Sequence, residues 1–284
     1  MTLETAFRNY LARQLRVLEV EEAGIVQDAD PEPLHRFRVA LRRSRAVLGE
    51  MQAELAPELA GLRRQMVAVM RRTNARRDAD VFLALLPAWR GQAPDWLADG
   101  IEGLERPLRR QREEAHREVL ALLGSEEYRK LKADWHAWLT APAGAWLAAE
   151  QTEPQAKLLQ RHIARRRRKV TKRLRALARD AAPEAVHRLR IAVKKLRYLL
   201  EFAAASGESA GARKRIARLK QLQDRLGAHH DAAVQSAWLR RMLVETPRLS
   251  RPTAAVIGWL SAERWRCQAR ALRKLSRLSD RWDD

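Results

Sequence analysis

Apolar residues recur along almost the whole chain at spacings of three and four residues, whereas alternating apolar and polar positions are scarce. This spacing puts apolar side chains on one face of an α-helix. Glycine and proline fall mostly between the periodic segments, where they end helices. The pattern predicts an all-α protein with a connector at 141–153. The predicted helices lie near 3–28, 32–55, 57–73, 78–87, 95–124, 126–140, 154–181, 184–205, 211–227, 229–246 and 251–279.

An internal repeat is the most informative feature of the sequence. Segment 31–45 matches segment 183–197, with identical residues at seven of the fifteen positions and similar ones at most others. A second match, shifted by one residue, pairs 75–79 with 228–232. Repeats of this kind indicate a duplicated structural unit. We therefore predict one domain over 1–284, built from two similar helical bundles at 1–142 and 152–284 that are related by a pseudo-twofold axis.

Both copies of the repeat carry a basic stripe beside an apolar stripe. The apolar positions, which step by three and four residues, predict the buried face of a helix. The basic positions follow the same steps one residue further round. In the first copy the stripe comprises His35, Arg38, Arg42 and Arg45, and in the second copy His187, Arg190, Lys194 and Arg197. No acidic residue lies one turn away within the middle of the second stripe, so ion pairs along the helix cannot neutralise it.

Two interpretations of these stripes stay open. A stripe of charges is most simply a solvated helix face. However, the stripes recur beside the apolar seam in both halves, which favours their convergence on a shared centre where an extended polyanion would balance their charge. A further basic face on the first helix of each half is better explained as solvated, although it can extend the same surface. Its candidate residues are Arg13, Arg16, Arg165 and Arg168.

Composition narrows the partners and the compartment. The chain carries 56 lysines and arginines against 35 acidic residues, a formal net charge of +21, and 46% of its residues are hydrophobic. That apolar content excludes a disordered basic tail. A single cysteine, Cys267, excludes an internal disulfide and is typical of a reducing compartment. The longest uncharged run, 137–149, is too short to span a membrane, and no secretory signal is recognisable. A cytoplasmic protein with a polyanionic partner, no membrane contact and no obligate protein partner is predicted.

The two stripes resemble the hallmark of the CHAD domain, the conserved-histidine α-helical domain. The pattern His-x-x-Arg-x-x-x-(Arg/Lys)-x-x-Arg occurs at 35–45 and again at 187–197, and segments 77–81 and 222–234 are similar to a second family element. The resemblance covers essentially the whole chain. It implies two pseudo-symmetric helical bundles with a basic central surface or pore, binding of inorganic polyphosphate without catalysis, and a location at polyphosphate granules. Two departures affect local turns: Asn74 replaces a glycine, and His230 stands where asparagine is common.

No residue pattern predicts an enzyme, a cofactor or a metal. His229, His230 and Asp231 are adjacent and would point in different directions on a helix, which does not suit a shared ion. There is no glycine-rich phosphate loop and no nucleophile motif. The segment 19–23 lacks the lysine of an attached triphosphatase element. Asp78 is instead predicted to cap a helix, as is Asp231. Trp135, Trp138 and Trp259 lie in apolar segments and are predicted to pack in the core.

The predicted function is polyphosphate binding, and the alternative is non-specific nucleic-acid binding by the same surface. Polyphosphate has no bases, so stripes made only of Arg, Lys and His suit it. One hypothesis makes His35 and His187 neutral in the free protein and more protonated when phosphate binds. The other has each histidine hydrogen-bonded to a backbone carbonyl or to Asp78 or Asp231, as a structural contact.

Overall fold

The computed structural model describes residues 3–53, 55–56, 59–142, 144–146, 155–177, 181–205, 211–245 and 250–276. Within these ranges the regular secondary structure consists of α-helices and one short 3-10 helix (Asp95–Leu97), without a β-strand. The all-α prediction is therefore confirmed. In chain order the helices are α1 (Leu3–Gln27), α2 (Glu32–Glu50), α3 (Leu59–Arg72), α4 (Asn74–Gln92), α5 (Ala98–Leu123), α6 (Glu126–Thr140), α7 (Gln155–Arg175), α8 (Pro183–Ala205), α9 (Ala212–Glu245) and α10 (Arg251–Ser276).

Local chemistry explains how several helices begin and end. Asp28, with a left-handed φ of 54°, ends α1, and the Asp30 carboxylate accepts a hydrogen bond of 2.8 Å from the Glu32 backbone N–H at the start of α2. Ser125 caps α6 by accepting from the Tyr128 N–H. These contacts satisfy backbone N–H groups that have no partner in the first turn of a helix.

The predicted break between 227 and 229 is wrong, since α9 runs unbroken from Ala212 to Glu245. Gly227 lies within this helix and forms no turn. A β-carbon at this position would meet only the Asp231 carboxylate, at 3.8 Å, so the surrounding structure has room for a larger residue. Leu226 and Ala232 are buried on either side of it, and their burial outweighs the cost of about 1 kcal/mol for glycine in a helix. Asp231 consequently lies inside α9, and Asp78 lies inside α4. Neither is the helix cap that the sequence predicted.

The chain folds into two compact units. Unit 1 comprises Met1–Asp78, Arg112–Arg165 and Lys195–Ile216, and unit 2 comprises Ala79–Gln111, Arg166–Lys194 and Ala217–Asp284. Each unit draws on both halves of the sequence, and the predicted bundles at 1–142 and 152–284 stay a prediction. The boundary falls within α4, α5, α7, α8 and α9. The predicted pseudo-twofold repeat stays a prediction.

Each unit has its own apolar core. In unit 1, Phe202 packs on Phe7 with 4.6 Å between ring centroids, and Trp135 is fully buried. In unit 2, Phe82 stacks on Trp238 at 4.3 Å. The predicted core packing is confirmed for Trp135, which is buried, and Trp138 and Trp259 pack partly buried against the two cores. Trp89, Trp146 and Trp238 are also buried, whereas Trp96 and Trp265 are exposed. No described helix is apolar over a length that could cross a membrane.

An ion-pair network in unit 1 joins three helices at the end of α1. Asp28 accepts hydrogen bonds from Arg112 of α5 at 2.8 and 2.6 Å, and from Arg76 of α4. Arg76 is 2% exposed, and His116 Nε2 lies 3.8 Å from the same carboxylate. Burial acts to raise the pKa of Asp28, but the hydrogen bonds from Arg112 and Arg76 outweigh it and lower the pKa. The ionised carboxylate therefore links the end of α1 to the start of α4 and to the middle of α5.

Candidate polyanion-binding surfaces

Helix α2 presents its basic stripe at the margin of the unit 1 core. The predicted apolar positions are all buried, namely Leu34, Phe37, Leu41 and Leu48. Because the basic positions lie one residue further round the helix, they fall at the edge of this buried face. His35, Arg42 and Arg45 are half-buried there, whereas Arg38 is only 6% exposed. Arg38 is thus more deeply buried than the other three candidate residues on α2.

Arg38 holds α2 against the junction of α3 and α4. Its guanidinium donates to the Met70 carbonyl at 3.1 Å, to the Asn74 side-chain oxygen at 2.9 Å and to the Thr73 hydroxyl. The pKa of Arg38 is lowered to about 10, mainly by burial and next by the positive charge of Arg42. Asn74, which departs from the family pattern, begins α4 and completes this contact. We therefore assign Arg38 a structural role, in place of the ligand contact predicted from the stripe.

Replacing Arg38 with methionine is expected to lower the free energy of unfolding by about 2–3 kcal/mol, because it removes the charge-assisted hydrogen bonds that Arg38 donates to Met70, Thr73 and Asn74. Polyphosphate affinity should change less than about twofold. Thermal unfolding and isothermal titration calorimetry check the two effects separately. A loss of affinity without a loss of stability would return Arg38 to the binding surface.

Arg77 of α4 lies near the basic stripe of α2, which the spacing of residues along α2 does not predict. Burial lowers the pKa of His35, and Arg77 is the largest charged contributor to that shift. Burial likewise lowers the pKa of Arg77, with Arg42 contributing and Glu32 opposing. We call His35, Arg42, Arg45 and Arg77 the α2 cluster. Among the described residues, no carboxylate lies within 4 Å of its three arginines, so the cluster is a concentration of positive charge without ion pairs.

The sequence marks Arg77 as part of a family element, but it does not show which helix Arg77 faces. Arg77 opens the 77–81 segment that resembles the second family element, and it lies close to the start of α4. Periodicity within α4 shows which face is buried, but it does not reveal which neighbouring helix lies opposite Arg77. Only the packing of α4 beside α2 brings the two together.

His35 fits the first of the two histidine hypotheses. Its side chain makes no hydrogen bond to any residue that the structure describes, so neither a carbonyl nor Asp78 holds it. Because burial and Arg77 lower its pKa below the usual value of 6.5, the ring is neutral at pH 7. An approaching phosphate would favour its protonated form.

A second basic surface, in unit 2, lies where the first half of α8 faces the middle of α9. His187 Nδ1 is 3.4 Å from His230 Nδ1, and Arg190 Nη2 is 3.8 Å from Asp231 Oδ1. The pKa of His230 is lowered to about 4. Burial is the largest cause, and the charges of Arg190, His187 and Lys194 are the next largest. His187 thus contacts a neutral histidine, and among the described residues neither Asp231 nor a carbonyl forms a hydrogen bond with it.

The α8 stripe is more neutralised than the stripe on α2. Arg197 lies in unit 1, where it pairs with Glu201 at 3.3 Å and its guanidinium lies 4.9 Å from the Tyr198 ring centroid. Arg190 approaches Asp231, an acid supplied by α9 that was not visible from the spacing along α8. The α2 cluster is therefore the stronger candidate for anion binding.

The predicted basic faces of α1 and α7 lie on the surface. Arg13 and Arg16 are exposed on α1, and Arg165 and Arg168 are exposed on α7. Burial raises the pKa of the Tyr10 hydroxyl on α1, and the charges of Arg43 on α2 and Arg13 on α1 oppose that shift. These four arginines are exposed, and their contact with a polyanion stays a prediction.

Metal binding finds no support among the described residues, where no group of three or more histidine, cysteine or acidic side chains is placed to hold an ion.

Comparison with known proteins supports the all-α fold. The family model for the CHAD domain matches residues 9–240. The crystal structure of the CHAD domain from the plant Ricinus communis superposes with a TM-score of 0.80 at 26% sequence identity, covering 98% of this chain and 92% of that one. PptA from Streptomyces chartreusis has a TM-score of 0.74 at 19% identity, covers both chains fully and shares the fold. No curated protein matches the sequence. With most of its length matched by the family model, the chain belongs to the CHAD-domain family.

Proposed function

We propose that the protein binds inorganic polyphosphate and that the α2 cluster is its main contact. The observation that carries the proposal is the set of three arginines, Arg42, Arg45 and Arg77, that lie together without a carboxylate within 4 Å among the described residues. Grouped like charges repel one another, and burial adds to the cost. A polyanion that replaces the missing carboxylates removes both costs.

The chemistry of the α2 cluster suits a chain of phosphates better than a nucleic acid. Guanidinium groups bind phosphate oxygens in a bidentate manner and stay charged. Nucleic-acid readers also use amides for base edges and aromatic rings for stacking, and the cluster consists only of arginine and histidine. Membership of the CHAD family supports the same ligand, since the family resemblance implied polyphosphate.

The α8 surface is proposed as a secondary contact. Arg190 and Lys194 present positive charge there beside His187, and Asp231 reduces that charge. The exposed arginines of α1 and α7 are proposed as further contacts. Whether the two stripes face a shared centre stays a prediction of the repeat. We propose binding without catalysis, at polyphosphate granules of the cytoplasm, and release of orthophosphate by the purified protein would contradict that part.

Competition separates polyphosphate from nucleic acid, because salt weakens both complexes through counterion release. A fluorescent single-stranded DNA bound to the protein should be displaced by long-chain polyphosphate at a lower phosphate concentration than the reverse displacement requires. Polyphosphate at about 100 times its Kd should also stabilise the protein by about 2.7 kcal/mol, seen as a higher Tm. Preferential binding of DNA would reject the proposed function in favour of the alternative.

A further inference from the structure

Arg63 of α3 lies across the backbone of α2 at Gly49. A β-carbon at Gly49 would stand 2.9 Å from Arg63 Nε and 3.4 Å from Nη2. Glycine therefore leaves the room that the guanidinium occupies. The Nε atom is shielded from solvent and has no hydrogen-bond partner in the described part of the chain. The Arg63 guanidinium can thus lie against α2 because Gly49, four residues beyond Arg45, has no side chain.

Arg63 adds a third guanidinium to the C-terminal end of the α2 cluster. Burial lowers the pKa of Arg45, and Arg63 followed by Arg42 are the largest charged contributors to the shift. The acids of this region pair elsewhere: Glu50 with Lys195 at 3.2 Å, and Glu201 with Arg43 and Arg197. Arg63, like Arg42 and Arg45, has no carboxylate within 4 Å among the described residues.

We propose that Arg42, Arg45 and Arg63 form a subsite for the end group of a polyphosphate chain. This inference rests on the proposed function and adds to it the part of the ligand that is recognised. An interior phosphate unit carries one charge, whereas a terminal phosphoryl group carries about −1.5 to −2 near pH 7 and offers three free oxygens. Three guanidinium groups suit the more highly charged group, since each can donate two parallel hydrogen bonds.

The rest of the α2 cluster gives the bound chain a direction. His35 lies ten residues before Arg45, which is roughly 15 Å along the helix at about 1.5 Å per residue. Arg77 contributes to the field at His35. A chain whose end occupies the Arg63 subsite can therefore extend along α2 toward His35 and Arg77.

Two small ligands test the inference, linear tripolyphosphate, which has two end groups, and cyclic trimetaphosphate, which has none. Calorimetric titration should show that the wild-type protein binds the linear ligand more tightly. Arg63→Ala should weaken the linear ligand about tenfold and the cyclic one less than about twofold. Arg63→Lys, which keeps the charge but loses the fork, should fall between the two.

A second variant moves Arg63 without removing any charge. In Gly49→Ala the new β-carbon would displace the flexible Arg63 side chain, and the preference for the linear ligand should fall about tenfold as in Arg63→Ala. The matched control is Gly61→Ala on α3, where the β-carbon meets only Arg64 Nη2 at 3.7 Å. That control should bind both ligands as the wild type does, and circular dichroism should show the same helicity in all variants.

The outcomes separate the inference from the proposed function. If the wild type binds no polyphosphate of any length, the proposed function fails. If it binds long chains but does not distinguish the linear from the cyclic ligand, the end-group subsite is wrong while the proposed function stands. The same conclusion follows if Gly49→Ala and Arg63→Ala weaken both ligands equally, since that would indicate a general contribution of charge.

Discussion

The double variant Arg42→Ala/Arg77→Ala is expected to bind long-chain polyphosphate about 100-fold more weakly than the wild type near 0.15 M salt, since each lost charge-assisted hydrogen bond contributes about 1.5 kcal/mol or more. Both side chains are half-buried at the margin of the core and make no ion pair with a described carboxylate. Their removal relieves mutual repulsion, so the free energy of unfolding should stay the same or rise. Fluorescence titration of labelled polyphosphate measures the affinity.

Salt dependence adds a second readout to this prediction. The slope of log Kd against log salt should fall by about 1.4 for the two lost phosphate contacts, if polyphosphate behaves like a single-stranded nucleic acid with about 0.7 per contact. An unchanged slope with weaker binding would indicate a rearranged site, and unchanged binding would remove Arg42 and Arg77 from the surface.

A matched control removes two arginines that already have acidic partners. Arg36 pairs with Glu21 at 2.5 Å and Arg109 pairs with Glu105 at 2.6 Å, and both arginines are exposed. The variant Arg36→Ala/Arg109→Ala has the same net charge as the first double variant. Its affinity should fall less than about threefold, because only the long-range field changes and salt screens that field. A loss equal to that of the first variant would mean that net charge, and not the α2 cluster, determines binding.

Asp28→Asn is expected to lower the free energy of unfolding at pH 7 by about 3 kcal/mol, because it removes the charge that compensates two arginines, one of them buried. Arg76 is 2% exposed, and Arg112 and Arg76 both donate to the Asp28 carboxylate. Urea unfolding followed by circular dichroism measures the change. The control Glu126→Gln breaks a pair with Arg129 in which both side chains are largely exposed, and it should cost less than about 0.5 kcal/mol.

The same network predicts how stability depends on pH. The folded-state pKa of Asp28 lies below its ordinary value of 3.8, so its contribution is fully present above pH 4 and is lost as the pH falls through the folded-state value. The difference in unfolding free energy between wild type and Asp28→Asn should therefore shrink below pH 4. A difference that stays constant down to pH 2 would show that the charge of Asp28 is not what stabilises the junction.

Local periodicity was sufficient to predict most of the helices and the buried faces of α2 and α8. Leu34 and Phe37 of α2, and Val186 and Leu189 of α8, are all buried as their spacing indicated. An α-helix repeats every 3.6 residues irrespective of its surroundings, so the pattern reports its faces directly. Local signals failed where burial overrode them, as in α9, which continues through Gly227.

The candidate site was only partly predictable, because charge alone does not show where a side chain ends. Arg38 and Arg42 are both basic positions of one stripe, yet Arg38 donates to the α3–α4 junction while Arg42 keeps an unpaired charge among the described residues. Asp231 likewise reduces the charge of α8 from a different helix. Distances along the chain do not contain this information.

By itself, the sequence determined the helical class, the basic stripes on α2 and α8 and the membership of the CHAD family, since these depend on residue type and on spacing within one helix. Only the tertiary structure showed that Arg77 lies near the basic residues of α2, that Arg63 lies against Gly49, that Arg38 contacts the α3–α4 junction, and that Asp28 binds two arginines. These outcomes depend on which helices pack together, and residues far apart in the chain meet only after the apolar faces have been buried.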